Sequence, residues 1–385
     1  MTDVKNKRSI LIVEMASHLK IVNQLHFLLE PEFSCSILLR RVRMDVALND
    51  MIRLSNGTTT RLYSSGRHWP VPIQILLFYA RLLRLAAGSS LIIVSTGPEQ
   101  TRSIETTMSA AIFFWFRSKT LLAIRNASSY TPPERSWSKV LSLGQLSRHI
   151  IVRNVRALMF ESDTQRQHLI AQLKLGGDRS KRELPSTVVT YDRYSDYSAF
   201  HSVSVQPRRQ DSYLRLGLLG SLDRRRRDYD LLSKALLCVP EDLRRNVVIS
   251  VLGSTRTVDA TGVLEQLRKL VQVDVSHEYL SEKQFVDLGS ICSVLIAPLS
   301  AQKAYGTANG TGSLGDAVYL RRRLLIPSWA DPLHEFNEIC IYYEGAIKLA
   351  RKIEALIVSP PLPLDPVTLK KYSSVHVRDS LLRLL

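Results

Sequence analysis

Two α/β halves, each a doubly wound Rossmann-like domain, are what this chain predicts, and three observations carry that expectation. Short apolar runs alternate with amphipathic stretches of helical length along most of the sequence, the pattern of a parallel sheet covered on both faces. The alternation breaks off across 176–212, where GGDRSKRELPSTVVTYDRYSDYSAFHSVSVQPRRQDS is polar, rich in Ser and poor in helical periodicity, and then resumes. At 385 residues the chain also exceeds one comfortable hydrophobic core, so two domains are expected.

Taken in order, the first half offers strands at Ser9–Val13, Cys35–Leu39, Leu91–Ser95, Leu121–Ile124 and Ala157–Glu161. Each is a short apolar run with no internal Gly or Pro, as a strand buried on both faces requires. Amphipathic stretches lie between them at Ile21–Leu29, Pro72–Ala86, Glu99–Phe116 and Ser136–Val152. Apolar residues surround much of the circumference of Pro72–Ala86, so it reads as a core helix; an apolar-basic surface helix is the other reading. Thr164–Leu175 reads as a helix capped by Ser162 or Asp163. The polar stretch that follows holds one edge strand at most, Val188–Thr190.

The second half repeats the scheme. Strands are expected at Leu214–Leu219, Val247–Leu252, Val271–Val275, Ser293–Ala297, Leu324–Ile326 and Ile339–Tyr342. Helices are expected at Asp228–Cys238, Val263–Leu270, Ser281–Ser290, Gly312–Leu320 and Glu344–Ile357. Beyond Pro360–Pro366 the chain is expected to end in one or two amphipathic helices, Val367–Tyr372 and Val375–Leu384. The resulting boundaries are 1–185 for the first domain, 186–212 for the connection, 213–358 for the second domain and 359–385 for terminal helices packing back on the first.

An apolar fraction of 45% with 23% charged residues is that of a folded, soluble chain. The most apolar stretches, such as Met108–Phe116, stop at a charge (Arg117) far short of a membrane span. The N-terminus MTDVKNKRSILIV lacks a small-residue cleavage site, and its apolar run looks like a first strand, so a cytoplasmic location is expected. Cys35, Cys238, Cys292 and Cys340 lie far apart without a CxxC or a His at ligand spacing, which suits reduced, buried side chains and no metal site. The net charge of +17 attracts polyanions of any kind: nucleic acid, anionic lipid or phosphorylated small molecules. Arginines gather at Arg40–Arg43, Arg224–Arg227 and Arg321–Arg323.

Ligands of doubly wound sheets bind outside the carboxyl ends of the strands, and four segments of the second half occupy such positions. In LRLGLLGSLDRRRRDYDLLSKAL, a strand runs into Gly220, a short loop and a basic helix start. Arg226 or Arg227 there is suited to phosphate through paired, charge-assisted hydrogen bonds. In NVVISVLGSTR, Gly253 permits a close backbone approach. In HEYLSEKQF, Tyr279 and Leu280 precede a helix with a capping-box spacing from Ser281 to Gln284. The last, GTANGTGSLGDAVYLRRRLLIP, is a Gly/Ser/Thr loop opening a helix near Gly312, whose N-terminal amides attract phosphate. Asp316 stands one turn in, placed for a sugar hydroxyl. The same compositions also serve a basic surface turn and an ordinary loop-to-helix turn.

The order and spacing of these segments resemble the nucleotide-sugar domain of GT-B fold glycosyltransferases, in particular the large retaining group (glycosyl transferases group 1 type). The matching positions are Gly220-Ser221-Leu222, Arg227, Asp230-Leu231-Leu232-Ser233-Lys234-Ala235, Leu252-Gly253, Tyr279-Leu280-Ser281-Glu282, Ala297-Pro298-Leu299-Ser300, Gly312 to Asp316-Ala317, and Pro327. The first half resembles the acceptor domain of that fold through ILIVEMASHLKIVNQLHFLLE and ALMFESDTQRQHL.

The resemblance implies two Rossmann-like domains facing across a cleft. It implies a donor diphosphate site at Gly220, Ser221, Arg226, Arg227, Thr311, Gly312 and Ser313. The nucleoside would meet Gly253, Tyr279, Leu280 and Asp316, and the acceptor His18 and Lys20. His18, Asn309 and Asp316 are the candidates for a catalytic role. Two departures stand out: the group's first acidic residue falls at Ala308, and the basic residue after its first glycine is replaced by Ser221.

The implied activity is metal-independent transfer of a sugar from a nucleotide sugar, a co-substrate rather than a cofactor. The acceptor would be a glycan or a lipid-linked molecule in surface polysaccharide or lipopolysaccharide synthesis, reached at the inner face of an anionic membrane. A non-catalytic or degenerate nucleotide-sugar binder is the alternative that Ala308 favours. A nucleotide-sugar epimerase would need a cluster of acids and histidines that the sequence does not offer. A basic nucleic-acid-binding protein would show a recognition module or an aromatic stacking stripe, and the sequence shows neither.

Overall fold

The structure, a computed structural model, describes residues 8–15, 19–39, 61–64, 71–96, 103–130, 143–175, 186–188, 213–276 and 280–384. It divides into two compact units, 1–195 with 374–385, and 196–373.

In the first unit the described elements run β1 (Arg8–Glu14), α1 (Leu19–Leu29), β2 (Phe33–Leu39), β3 (Arg61–Ser64), α2 (Val71–Gly88), β4 (Leu91–Thr96) and α3 (Ser103–Trp115). They continue as β5 (Thr120–Ile124), α4 (Leu143–Asn154), β6 (Ala157–Phe160), α5 (Asp163–Leu175) and β7 (Ser186–Val188). The seven strands are parallel in the order β3-β2-β1-β4-β5-β6-β7. Alternate residues of β1 feed opposite cores: Leu11 and Val13 pack with α2, α3 and α4, Ile10 and Ile12 with α1. That two-sided burial is why the strands are apolar throughout rather than alternating. Ser162 caps α5, its hydroxyl accepting from the Gln165 amide at 3.1 Å.

The second unit runs β8 (Leu214–Leu218), α6 (Tyr229–Cys238), α7 (Glu241–Arg244), β9 (Val247–Val251), α8 (Ala260–Arg268), β10 (Gln272–Asp274) and α9 (Glu282–Ser290). Then follow β11 (Val294–Ile296), α10 (Gly312–Tyr319), β12 (Leu324–Pro327), β13 (Cys340–Tyr343) and α11 (Gly345–Val358). Its six parallel strands lie in the order β10-β9-β8-β11-β12-β13. The two units are therefore wound alike, each reversing direction beside its first strand. Arg215, on β8, pairs with Asp274 on β10 across the intervening strand.

Several details differ from the sequence reading. β3 and α7 carry too few apolar residues to stand out as elements. The Val367–Tyr372 stretch is not an α-helix: only a single 3-10 turn forms at Lys370–Tyr372, since a segment so short after Pro366 gains too few hydrogen bonds to propagate. The terminal segment is also divided between the units. Residues up to 373 stay with the second, where Leu364 and Arg321 exchange hydrogen bonds (Leu364 N to Arg321 O 2.9 Å, Arg321 Nε to Leu364 O 3.1 Å) and Tyr372 stacks on Phe336. The final helix, α12 (Ser374–Leu382), belongs to the first, burying Val377 and Leu381 among residues of β1, α1 and β2. Cys35, Cys292 and Cys340 are buried, but Cys238 is exposed at the end of α6, on the side turned away from the core that Leu236 and Val239 enter. Helix α2 is more than a core helix. Phe78, Tyr79, Leu82 and Ala86 are buried, while Leu76, Leu77 and Leu83 are exposed.

Truncating the anchor of α12 tests its place in the first unit. Leu381→Ala should destabilise that unit by about 2–4 kcal/mol, read as an earlier transition in urea or thermal unfolding with the second unit's transition unmoved.

Candidate functional site

The strand order of the second unit reverses between β8 and β11, and the crevice at their carboxyl ends is the place where such sheets bind ligands. The backbone there is drawn together closely. The Leu219 amide donates to the Ile296 carbonyl at 3.0 Å, and the Leu252 amide to the Leu218 carbonyl at 2.9 Å. Gly220 then turns into the left-handed region, at φ 86°, which favours glycine. Gly253 is required for a different reason: a Cβ on it would overlap the Gly220 carbonyl.

The basic turn after β8 is organised by Asp223. Its carbonyl accepts from the amides of Arg226 and Arg227, both at 3.0 Å, and its carboxylate accepts from the Arg225 amide at 2.9 Å and the Arg225 side chain. Burial pushes the Asp223 carboxyl up, but the hydrogen bonds and charge of Arg225 outweigh it and hold the group below the usual carboxylate range. Arg224 is likewise committed, pairing with Asp230 at 2.8 Å.

The remaining two arginines turn into the site. Arg227 is 6% exposed and lies under Gly220, in the space a Cβ there would claim. Its Nε donates to the Leu219 carbonyl at 3.4 Å and its Nη1 to the Arg226 carbonyl at 3.2 Å. Burial lowers its pKa, opposed by Tyr229, Tyr305 and Asp316, but a guanidinium remains charged at any ordinary pH. Its main chain is bridged to Leu299 and its neighbour's amide, Asp228 N, donates to the Pro298 carbonyl at 2.7 Å, so both come from the loops flanking the switch point. Arg226 is exposed and held by Tyr305, to whose hydroxyl its Nε donates at 2.7 Å. Both guanidinium carbons lie near the Tyr305 ring, 5.6 Å from its centroid for Arg227 and 5.8 Å for Arg226.

Tyr305 was not legible as a site residue, since no motif marks it. Its place depends on the loop after β11, where Ala304 (φ 45°) and Gly306 (φ 79°) both take left-handed conformations. Gly306 packs on the Ala330 carbonyl, where a Cβ would collide. Asn309 closes this loop: its carbonyl accepts from the Gly306 amide at 2.6 Å and its side-chain amide donates to the Lys303 carbonyl. Ala308 is buried beside it at 1% exposure.

The loop leads into α10. Thr311 is the N-cap, its hydroxyl accepting from the Ser313 amide at 3.4 Å. Nothing occupies the space where a Cβ on Gly312 would sit, while Ser313 is buried. Asp316 lies one turn into the helix, close enough for its charge to act on Arg227. The first turn of α10 carries the partial positive charge of a helix N-terminus.

The structure therefore gathers Gly220, Arg226, Arg227, Gly253 and Asp316 around the β8/β11 switch point. Ser221 is half-buried there, its carbonyl accepting from the Tyr229 hydroxyl at 3.1 Å. Leu280 is half-buried ahead of α9, which is closed by a full capping box between Ser281 and Gln284. Tyr279 and His18 lie outside the described residues, and Lys20 falls in the first turn of α1 in the other unit. Among the described residues no three His, Cys, Asp or Glu side chains come together as a metal site.

No family model matches the chain, and no curated protein matches it. Solved structures do. HepE from Anabaena, in complex with UDP and glucose, is similar over 97% of this chain and 98% of its own, with a TM-score of 0.61 at 11% identity. A glycosyltransferase from Rickettsia africae is similar over 98% and 94%, with a TM-score of 0.58 at 13% identity. The UDP-GlcNAc 2-epimerase of Neisseria meningitidis, bound to UDP-GlcNAc, is similar over 97% and 98%, with a TM-score of 0.55 at 10% identity. At such identities the likeness establishes the fold: the chain has the GT-B architecture of two Rossmann-like domains.

Two glycines distinguish packing from propensity. Gly253→Ala should destabilise the second unit by about 1–3 kcal/mol, because the Gly220 backbone has to give way. Gly262→Ala, in α8 with open space around the new methyl, should stabilise it by about 0.5–1 kcal/mol. Denaturant unfolding of the two variants checks both signs.

Proposed function

We propose that this protein is a glycosyltransferase, binding a nucleotide sugar at the β8/β11 switch point and passing the sugar to a glycan or lipid-linked acceptor. The observation that carries the reading is Arg227. Among the described residues its buried guanidinium hydrogen-bonds only main-chain carbonyls, at a strand-end crevice beside a helix N-terminus. A cation held there without a carboxylate in hydrogen-bond reach is matched by an anionic ligand.

In this reading Arg226, Arg227 and the amides at Thr311–Ser313 hold the donor diphosphate. Asp316 takes a ribose hydroxyl, while Gly253, Leu280 and Tyr279 border the nucleoside. The leaving group is a nucleoside diphosphate, and the guanidinium pair neutralises the charge that develops on it as the glycosidic bond breaks. These groups meet that charge without calling on a metal. His18 and Lys20 face the acceptor in this reading. Retention of anomeric configuration and a place in surface polysaccharide or lipopolysaccharide synthesis rest on the sequence resemblance alone.

Ala308 favours a second reading, nucleotide-sugar binding without transfer. The resemblance places an acidic residue there, and the position is filled by a buried methyl group. Asn309, beside it, uses its side-chain amide to close the loop.

Thermal stabilisation by a panel of nucleoside diphosphates and nucleotide sugars tests the site. At least one should raise the melting temperature, and Arg226→Ala or Arg227→Ala should weaken its affinity about 10- to 100-fold, as loss of a charge-assisted bond implies. A shift that survives both substitutions sinks the assignment. Product formation with a membrane-lipid extract as acceptor source separates transfer from binding alone.

Tyr305→Phe isolates the positioning of Arg226. It keeps the ring and removes the hydroxyl, so nucleotide affinity should fall about 3- to 10-fold with the melting temperature of the unliganded protein little changed. Titration calorimetry reads the difference.

A further inference from the structure

The loop after β12, residues 328–339, supplies no group to the anion site, yet it is built around a carboxylate that is 1% exposed, Asp331. Each hydrogen-bonding group of Asp331 is engaged within this loop or the strand that follows it. Its amide donates to the Ser328 carbonyl at 3.2 Å, and its carbonyl accepts from the His334 amide at 3.0 Å. One carboxylate oxygen accepts from the Glu335 amide at 3.0 Å. The other accepts from the Phe336 amide at 3.0 Å and from the hydroxyl of Tyr342, on β13. Three donors thus converge on two oxygens, which calls for a side chain that accepts on both sides. An Asn of the same shape would turn its NH2 group against one of those donors.

The residue before Asp331 meets the donor loop. The Ala330 carbonyl fills the space where a Cβ on Gly306 would sit, so the two loops touch without slack. Gly306 stands at φ 79°, and its amide donates to the Asn309 carbonyl at 2.6 Å. It follows Tyr305, whose hydroxyl accepts from Arg226 Nε. The other end of the loop after β12 is pinned separately. Phe336 stacks on Tyr372, with ring centroids 6.2 Å apart, and the Tyr372 hydroxyl donates to the Glu338 carboxylate at 2.7 Å. Asp331 therefore ties a fixed segment, at Phe336, to the residue that backs Gly306. Loosening that tie frees Ala330 to shift, and with it Gly306 and Tyr305.

We propose that Asp331 is a positioning residue of the donor site, holding the loop after β12 against Gly306 so that Tyr305 presents Arg226 to the diphosphate. The proposal rests on the nucleotide-sugar reading and adds to it a residue that acts through the backbone rather than on the ligand.

Titration calorimetry on the full chain tests it, the probe being whichever of UDP, dTDP, GDP and ADP the parent binds most tightly. Asp331→Asn should weaken that affinity about 3- to 10-fold, and no more than Tyr305→Phe does, because its effect passes through Tyr305. The deciding measurement is Asp331→Asn in a Tyr305→Phe background. There it should change affinity by less than about twofold, since Arg226 has already lost its holder; independent effects would multiply instead. The melting temperature should fall alike in both backgrounds, which separates the cost in stability from the cost in binding. Tyr342→Phe keeps the ring and removes one of the three donors. In the same two backgrounds it should behave alike, with a loss of about 2- to 5-fold, and it decides the matter if Asp331→Asn fails to fold. An affinity unchanged in the folded variants, or lowered by the same factor in both backgrounds, overturns the proposal and leaves the nucleotide reading standing. If the parent binds none of the four nucleotides, the nucleotide reading fails and the proposal falls with it.

Discussion

The β8/β11 crevice of the second unit is organised around a buried charge, Arg227. Removing a guanidinium from water costs several kcal/mol unless its donors are satisfied, and Arg227 meets two main-chain carbonyls and the face of an aromatic ring rather than an acid. Those compensations dictate much of the local backbone. Gly220 has to lack a Cβ because the guanidinium fills that space. Gly253 has to lack one because the loop after β9 presses on the Gly220 carbonyl. The loop after β11 has to take left-handed turns at Ala304 and Gly306, with Tyr305 between them beside the two arginines. Each irregularity is costly alone; together they hold a cation in place before any ligand arrives, which is what preorganised recognition of an anion needs.

The four consecutive arginines are not equivalent, and their partners say why. Arg224 and Arg225 pair with Asp230 and Asp223, so their charge is met within the turn. Arg226 is held by a neutral hydroxyl and Arg227 by neutral carbonyls. The turn therefore carries two compensated cations and two that, among the described residues, lack a carboxylate within hydrogen-bonding distance. Asp316, one helical turn into α10, offsets part of that field by its charge.

Most of the fold was legible because parallel strands buried on both faces write themselves as uninterrupted apolar runs. Every strand of that kind, from Ser9–Val13 to Ile339–Tyr342, forms within a residue or two of its expected place. What the sequence hid lacks such a signal. β3 is a four-residue edge strand with Arg and Ser at its ends, and edge strands need no apolar run. The division of 359–385 between the units depends on which surface receives Tyr372 and which receives Leu381, a tertiary choice that local patterning does not encode. In the site, the glycines and arginines stood out by composition and order. Tyr305 did not, because its role exists only once the loops after β8 and β11 are brought together.

Helix α2 shows where periodicity reasoning reaches its limit. Apolar residues around most of a helix imply removal from water, but they do not say into what. No helix among the described residues is long and apolar enough to cross a membrane, so spanning is not what α2 does. Its core side accounts for Phe78, Tyr79, Leu82 and Ala86 and for nothing on the opposite face. If the outward leucines merely filled surface at random, α3 and α4 would have no reason to repeat the pattern, yet Trp115 and Leu143 continue it across both neighbours. The apolar excess of α2 is thus a property of three packed helices together, and the sequence window that contains α2 alone cannot reveal it.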